Sequence, residues 1–166
     1  MDGIRGITVK VCLDNIEISN TKIKAESGLL LSKLSNIALE NELSGLEFAC
    51  GIPGTVGGAV RMNAGAYGKE IKDILESTTF IDENFEIRSI SNEENKFKYR
   101  SSRFVENKKE IVLSAVFNLE KKSKDEIKQE MQNNKKMRDG KQPINYPSAG
   151  SSFKRKERIY NCKINR

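Results

Sequence analysis

Glycine is concentrated in one stretch of this chain, and that stretch limits the possible folds more than any other feature. Seven of the twelve glycines lie between Gly45 and Gly68. Because glycine has no Cβ atom, backbone N–H groups in such a stretch can come close to a bound phosphate and point at it. Residues 52–59 (IPGTVGGA) have neither the G-x-G-x-x-G pattern nor the Gly-Lys-Ser/Thr ending of a Walker A loop. A Rossmann or P-loop fold is therefore disfavoured.

Two interpretations of this loop remain open on composition alone. Either it binds a phosphate group, with the Thr55 hydroxyl as an additional donor, or its glycines only permit tight turns. The following residues 62–68 (MNAGAYG) favour binding. Their small side chains, next to an amide and a phenol, would let a flat ligand lie against the backbone.

The rest of the chain mixes helix and strand patterns without a regular βαβ repeat, which predicts the α+β class. Ser123 with Glu126, and Ser91 with Glu94, have the spacing of capping boxes that open helices. Residues 82–84 (DEN) have the composition of a hairpin turn. The predicted strands cover residues 7–13, 16–18, 21–25, 77–81, 86–90 and 111–119, and the predicted helices cover 29–40 and a polar segment from 123 to 140.

Composition excludes several kinds of site. The chain has no histidine, which excludes Ser-His and Cys-His nucleophilic pairs and most zinc sites, and its three cysteines lack metal-ligand spacing. We therefore expect no metal site and free cytosolic thiols. Without an apolar run near the roughly 20 residues of a membrane span, and without a signal peptide, we expect a cytoplasmic protein with no membrane partner. The net charge is +6, but no aromatic residues interleave the basic segment 121–138, so we expect no nucleic-acid partner.

Residues 43–68 (LSGLEFACGIPGTVGGAVRMNAGAYG) resemble the flavin-binding segment of the UDP-N-acetylenolpyruvoylglucosamine reductases. The family pattern is close to GIPG-(S/T)-hydrophobic-GG-hydrophobic-x-x-NAGAYG. Blocks at 3–7 (GIRGI), 98–102 (KYRSS) and 141–155 (KQPINYPSAGSSFKR) resemble further family blocks in the expected order. The lack of an additional tyrosine-bearing insertion resembles the shorter subtype. The resemblance implies an FAD-binding domain of the vanillyl-alcohol-oxidase-like type.

The resemblance also implies which cofactors are used and which residues bind them. FAD is the implied cofactor, and NADPH is the implied hydride donor. Asn63, Gly65 and Ala66 are placed near the flavin. Contacts to the FAD diphosphate and ribose are implied for Pro53, Gly54, Thr55, Gly57, Gly58 and Ala59.

In the family, a hydride passes from the flavin to the enolpyruvyl group of a sugar nucleotide and gives UDP-N-acetylmuramate, a peptidoglycan precursor. This chemistry needs a cation to stabilise enolate-like charge and a weak acid to protonate the neighbouring carbon. Arg100 matches the family's catalytic arginine, and Ser151 matches its proton-donating serine. Without the resemblance, a surface arginine and a polar turn would explain these residues as well or better. Substrate contacts are implied for Tyr99, Arg138, Lys141 and Lys154, and the sequence predicts no particular oligomeric state.

We expect three parts along the chain, with Pro143 and Pro147 at the main boundary. They are an FAD-binding subdomain over 1–140, the start of a substrate-binding domain over 141–157, and a tail over 158–166. The family's G-x-G-S-N flavin loop and terminal catalytic glutamate are not found, so we expect a chain shortened at both ends. Read one base out of frame, a coding sequence for the tail gives EFITAKLI, close to the family's FxxxKLI, which predicts a frameshift.

Other functions remain as alternatives. The chain could be a non-catalytic remnant of the fold that binds FAD or another nucleotide. A different flavin oxidase of the same wider fold is disfavoured by residues 145–154 (NYPSAGSSFK), which match the reductases.

Overall fold

The structure is a computed structural model that describes residues 6–140. Helices and strands alternate irregularly along these residues, so the predicted α+β class is confirmed. A 3₁₀ turn at Glu47–Ala49 leads into the glycine-rich loop. The strands are β1 (Ile16–Ser19), β2 (Lys22–Glu26), β3 (Leu43–Ser44), β4 (Gly65–Ala66), β5 (Lys69–Glu70), β6 (Leu75–Ile81), β7 (Ile87–Ser91), β8 (Ile111–Asn118) and β9 (Glu120–Lys121); the α-helices are α1 (Leu31–Glu40), α2 (Val56–Arg61), α3 (Arg103–Glu106) and α4 (Lys124–Asp139).

Within residues 6–140, the largest sheet has five antiparallel strands in the order β1-β2-β8-β6-β7. β8 (IVLSAVFN) is central because its β-branched and aromatic residues suit a pleated surface that is buried on one side. Ala115 of β8 pairs with Ala25 of β2 and with Thr78 of β6, and all three are buried. α2 packs against β8 and β2, which brings the glycine-rich loop next to the sheet.

The two longest helices follow the sequence patterns closely. α1 buries Leu31, Leu34 and Ala38, the helical spacing that predicted it. α4 begins after Ser123, whose hydroxyl accepts a 3.4 Å hydrogen bond from the Glu126 N–H, as the predicted capping box requires. The second box forms only in part: the Ser91 N–H donates to Glu94 Oε2 at 2.9 Å, but the 3₁₀ turn that follows at Glu93–Asn95 has Asn92 as its N-cap, without a side-chain cap hydrogen bond.

The predicted half-buried strand over residues 7–13 is wrong. The structure describes this segment without a strand, and Ile7 and Val9 are 95% and 80% exposed. The end of this segment lies instead beside the residues that follow β2, where the Gly28 N–H donates to the Leu13 carbonyl at 2.7 Å. Alternation shows that a segment can be a strand, but a ladder also needs a partner in register, and none lies beside 7–13 among the residues described.

Candidate functional site

A cavity of about 340 Å³ lies beside α2 and is the candidate binding site. Both halves of the glycine-rich segment and one distant arginine line this cavity. The predicted site residues on its wall are Pro53, Gly54, Thr55, Gly58, Ala59, Gly65 and Arg100. The rest of the wall is apolar and comes from Leu31, Ile52, Met62 and Ala64.

The backbone amides of the loop divide into occupied and available donors. The Val56 and Gly57 N–H groups donate to the Leu29 and Ser27 carbonyls, both at 2.9 Å. Within residues 6–140, the N–H groups of Gly54 and Thr55 donate to no protein atom. The Gly58 N–H has only a long 3.5 Å contact to Thr55 Oγ1. The amides that remain for a ligand are therefore on the cavity side of the loop.

Neighbouring glycines of α2 differ in the space around them. A Cβ atom on Gly57 would lie 2.8 Å from the Ser27 Cβ and 3.2 Å from the Ser27 carbonyl oxygen. A Cβ atom on Gly58 would meet, among the residues described, only Thr55 Oγ1 at 3.7 Å. Gly57 therefore allows the helix to pack on β2, whereas Gly58 leaves the cavity wall bare of side chain.

Asn63 is fully buried and lies behind the cavity wall. Its Nδ2 donates to Glu70 Oε2 at 2.9 Å and to the Lys98 carbonyl at 3.2 Å, while its Oδ1 accepts from the Lys72 N–H at 3.0 Å. Its φ of +42° lies in the left-handed region, which asparagine enters more readily than most residues. Asn63 thus joins the β4–β5 hairpin to the segment that carries Arg100.

Arg100 brings a guanidinium group to the cavity wall. Its Nη1 donates to the Asn63 carbonyl at 3.2 Å, and its Nη2 donates to the Gly65 carbonyl. Its φ of +53° places it in a tight turn, where Lys98 and Ser101 exchange backbone hydrogen bonds of 3.0 and 3.1 Å. The guanidinium therefore lies against the small-residue loop that was predicted to be near a flavin.

The remaining predicted residues lie further from the cavity or outside the described part. Tyr99 is 40% exposed, and its ring lies 5.2 Å from the Arg100 guanidinium carbon. Arg138, in the last turn of α4, donates to the Gly51 carbonyl at the start of the loop. Ala66 lies in β4, next to Gly65 but off the wall. Ser151, Lys141 and Lys154 lie outside the described residues, as do the predicted domain start at 141–157 and the tail.

Sequence reasoning missed Glu70, which pairs with Gly65 across the β4–β5 hairpin. Its carboxylate contacts Asn63, lies 3.1 Å from Lys72 Nζ, and lies 3.9 Å from Arg100 Nη1. The hydrogen bond with Glu70 raises the pKa of the Lys72 ammonium. The sequence signal for this hairpin was weak, because its two-residue turn is Tyr67-Gly68, with φ of +54° and +84°, and of these two residues glycine alone is favoured in such turns.

Other titratable groups offer no competing chemistry in the part of the chain that is described. Residues 6–140 contain no cluster of three cysteine, aspartate or glutamate side chains able to hold a metal ion. Burial, outweighing the effect of Arg138, raises the pKa of the Cys50 thiol, so this cysteine is not an activated thiolate. The helices within the same residues are all too short or too polar to cross a membrane.

The donor set fits an anionic nucleotide cofactor. Available amides at Gly54, Thr55 and Gly58 match the acceptor oxygens of a diphosphate, and the hydroxyl of Thr55 adds a donor. The bare wall at Gly58 provides the close backbone approach that a Cβ atom would prevent. The Arg100 guanidinium on the same wall suits a carboxylate or another electron-rich group.

Comparisons with known proteins agree with this geometry. The family described as "FAD binding domain" matches residues 2–91. UDP-N-acetylenolpyruvoylglucosamine reductases of Caldanaerobacter subterraneus subsp. tengcongensis and Clostridium novyi are 50% and 48% identical over 163 residues, which is 98% of this chain. The crystal structure of the reductase MurB from Thermus caldophilus superposes with a TM-score of 0.68 at 35% identity over 76% of this chain.

The relatives are longer than this chain. It covers 54% and 53% of the two curated reductases and 46% of the Thermus caldophilus protein, so it spans about half of their length. Within that span the predicted resemblance to the UDP-N-acetylenolpyruvoylglucosamine reductases is confirmed. The prediction that the chain contains an FAD-binding domain is confirmed as well. The chain belongs to the FAD-binding domain family.

Proposed function

We propose that this chain carries the FAD site of a UDP-N-acetylenolpyruvoylglucosamine reductase. The observation that supports this most directly is the cavity that joins available loop amides at Gly54 and Thr55 to the guanidinium of Arg100. Its volume lies at the lower end of the range for small-molecule sites, about 300–1,000 Å³. It therefore suits one part of a dinucleotide, which we take to be the diphosphate and the adjoining region.

The loop residues bind and orient the cofactor in this proposal. Amides of Gly54, Thr55 and Gly58 donate to diphosphate oxygens, and Pro53 and Ala59 complete the wall. Gly57 contributes indirectly, since its N–H is bonded to Ser27 and its missing side chain lets α2 approach β2. Gly65 and the adjoining Ala66 form the backbone surface against which the flavin lies, and the buried Asn63 supports that surface from behind.

Arg100 is the catalytic residue of this proposal within the described part. When bound, FAD would accept a hydride from NADPH and supply it to the enolpyruvyl double bond of the sugar nucleotide. The Arg100 guanidinium can donate two parallel hydrogen bonds to carboxylate oxygens, so it stabilises the developing enolate-like charge. The hydroxyl of Ser151 protonates the adjacent carbon. Tyr99, Arg138, Lys141 and Lys154 contact the substrate in the same proposal.

A second candidate function is non-catalytic binding of FAD or another nucleotide. The chain spans about half the length of the two curated reductases, and of the two predicted catalytic residues only Arg100 lies among the residues described. Both candidates include a cytoplasmic location, which the free thiols of Cys12 and Cys50 support.

A flavin titration followed by an activity assay separates the candidates. Binding is followed by quenching of FAD fluorescence on adding the purified chain, with FMN as the control that lacks the second phosphate and adenosine. We expect FAD to bind and FMN to bind more weakly. NADPH oxidation in the presence of the enolpyruvyl sugar nucleotide supports the reductase, whereas FAD binding without turnover supports the remnant. Failure to bind FAD would overturn the reductase, and failure to bind ADP as well would overturn the second candidate.

A further inference from the structure

We propose that Glu70 is the positioning residue that holds Arg100 at the cavity wall. The inference rests on the proposed function, because Arg100 matters for catalysis only if the chain binds the flavin and its substrate there. Glu70 lies outside the cavity and is not itself expected to contact a ligand.

The direct contact is electrostatic. Both hydrogen bonds of Arg100 end on neutral acceptors, the carbonyl oxygens of Asn63 and Gly65. Among the residues described, Glu70 is the one carboxylate within 4.0 Å of the guanidinium, with Oε1 at 3.9 Å from Nη1. The arginine side chain is 34% exposed, so without this charge its long, flexible stem is held against solvent by hydrogen bonds to neutral carbonyls alone and turns outward more often.

Glu70 also acts through Asn63. Its Oε2 accepts from Asn63 Nδ2 at 2.9 Å, and the same amide group donates to the Lys98 carbonyl at 3.2 Å. This fixes Asn63, whose backbone carbonyl accepts from Arg100, and it anchors the turn at Lys98 that presents Arg100. The Glu70 carboxylate therefore acts on Arg100 in three ways. It fixes the residue whose carbonyl accepts from the guanidinium, it anchors the turn at Lys98, and it supplies the opposite charge.

The hairpin keeps Glu70 in place. Glu70 pairs with Gly65, and a Cβ atom on Gly65 would lie only 2.7 Å from the Glu70 Cγ, so glycine at this position makes room for the glutamate. Lys72 Nζ shares Oε2 at 3.1 Å. One carboxylate thus faces two cations, which leaves the local charge positive and suited to an anionic substrate.

Arginine-selective modification tests the positioning without needing bound cofactor. The chain is treated with phenylglyoxal, and the modification rate at each arginine is measured by peptide mass spectrometry. Glu70→Gln keeps an acceptor oxygen for Asn63 but removes the charge, and we expect the rate at Arg100 to rise about two- to fivefold, the equilibrium worth of a weak ion pair. Glu70→Ala removes both contacts and should raise it further. Glu76→Gln, which breaks a 2.6 Å ion pair with Lys22, is the matched control and should leave Arg100 unchanged.

Salt separates positioning by charge from a general loosening of the fold. In the unsubstituted chain, 1 M NaCl should raise the rate at Arg100 toward that of Glu70→Gln, because the Debye length falls to about 3 Å. In Glu70→Gln the modification rate at Arg100 should not respond to salt.

Arg103, whose Nη2 lies 2.7 Å from Glu110 Oε1, is the internal control for a general loosening of the fold. Its modification rate should be the same in the unsubstituted chain and in both variants of Glu70. Equal rates at Arg100 in Glu70→Gln and the unsubstituted chain, or a parallel rise at Arg103, would overturn the proposal.

A flavin titration on the same samples keeps the two proposals distinct. If the unsubstituted chain fails to bind FAD while Arg100 still becomes reactive in Glu70→Gln, the proposed function fails and the structural link between Glu70 and Arg100 stands. If FAD binds but Arg100 reacts at the same rate in every variant, the positioning role fails and the proposed function stands.

Discussion

Replacing Gly57 by alanine tests whether the glycines of α2 serve packing or ligand binding. In the first turn of a helix, either glycine gains at most about 1 kcal/mol of helix propensity on substitution by alanine. For Gly57 that gain is opposed by overlap, since the new Cβ would lie 2.8 Å from the Ser27 Cβ and 3.2 Å from a backbone oxygen that cannot move without moving β2. Overpacking of this kind costs about 1–3 kcal/mol, so we expect Gly57→Ala to be destabilising overall.

Gly58→Ala is the matched control, because it has the same propensity gain in the same helix. Its Cβ would make only an ordinary 3.7 Å contact among the described residues. The difference in stability between the two variants is then the overlap energy alone, about 2 kcal/mol. For a chain of this size, that corresponds to a melting temperature about 4–8 °C lower for Gly57→Ala.

The assay is thermal unfolding followed by circular dichroism, with an FAD titration at 20 °C as the second readout. We expect Gly58→Ala to be at least as stable as the unsubstituted chain but to bind FAD at least about tenfold more weakly, since its methyl group occupies the bare wall. A Gly57→Ala variant that melts at or above Gly58→Ala would refute the packing argument. Unchanged FAD affinity in Gly58→Ala would refute the assignment of the cavity.

Three further predictions follow from single contacts. Thr55→Val removes the hydroxyl that caps α2 and faces the diphosphate, so FAD titration should show about tenfold weaker binding, whereas Thr55→Ser should bind normally; equal affinities would contradict the donor role. Phe104→Ala removes a fully buried ring 5.4 Å from Phe80, so urea unfolding should show a loss of about 3–5 kcal/mol. The pKa of the Asp82 carboxyl lies below its ordinary value of 3.8, chiefly because the carboxylate accepts a hydrogen bond from the Glu86 N–H. Asp82 therefore stabilises the fold above that pH, and this stabilisation is lost as the pH falls through the lowered pKa. Asp82→Asn should therefore make the melting temperature less sensitive to acid below about pH 3.8, and an unchanged acid dependence would argue against it.

Elements set by local residues were predictable. The capping box at Ser123 gave the start of α4 because a side-chain oxygen and a backbone amide three residues apart satisfy each other within one turn. The hairpin turn at Asp82 was likewise predictable, since its carboxylate accepts from the N–H groups of Asn84 and Glu86 at 2.8 and 3.0 Å. In both cases every atom that decides the structure lies within five residues.

Elements that need a distant partner were not predictable in the same way. The alternating residues 7–13 have the period of a strand, but their backbone meets Gly28 at the end of β2 and forms no ladder within the described residues. The 3₁₀ turn at Glu93–Asn95 replaces a predicted short helix although Glu94 accepts from the Ser91 N–H, one of the two contacts of a capping box. A correct local signal does not fix how far an element extends when the following residues pack elsewhere.

The amino-acid sequence by itself determined that much of the backbone over residues 51–68 would carry little or no side chain, because the absence of a Cβ atom is a property of glycine and not of its surroundings. It also carried the family resemblance, which the relatives confirm. Only the tertiary structure decided which amides remain available, and it brought Arg100, Asn63 and Glu70 together from positions up to 37 residues apart. That convergence depends on how the β4–β5 hairpin packs against the turn at Lys98, and packing between distant segments leaves no periodic mark in the sequence.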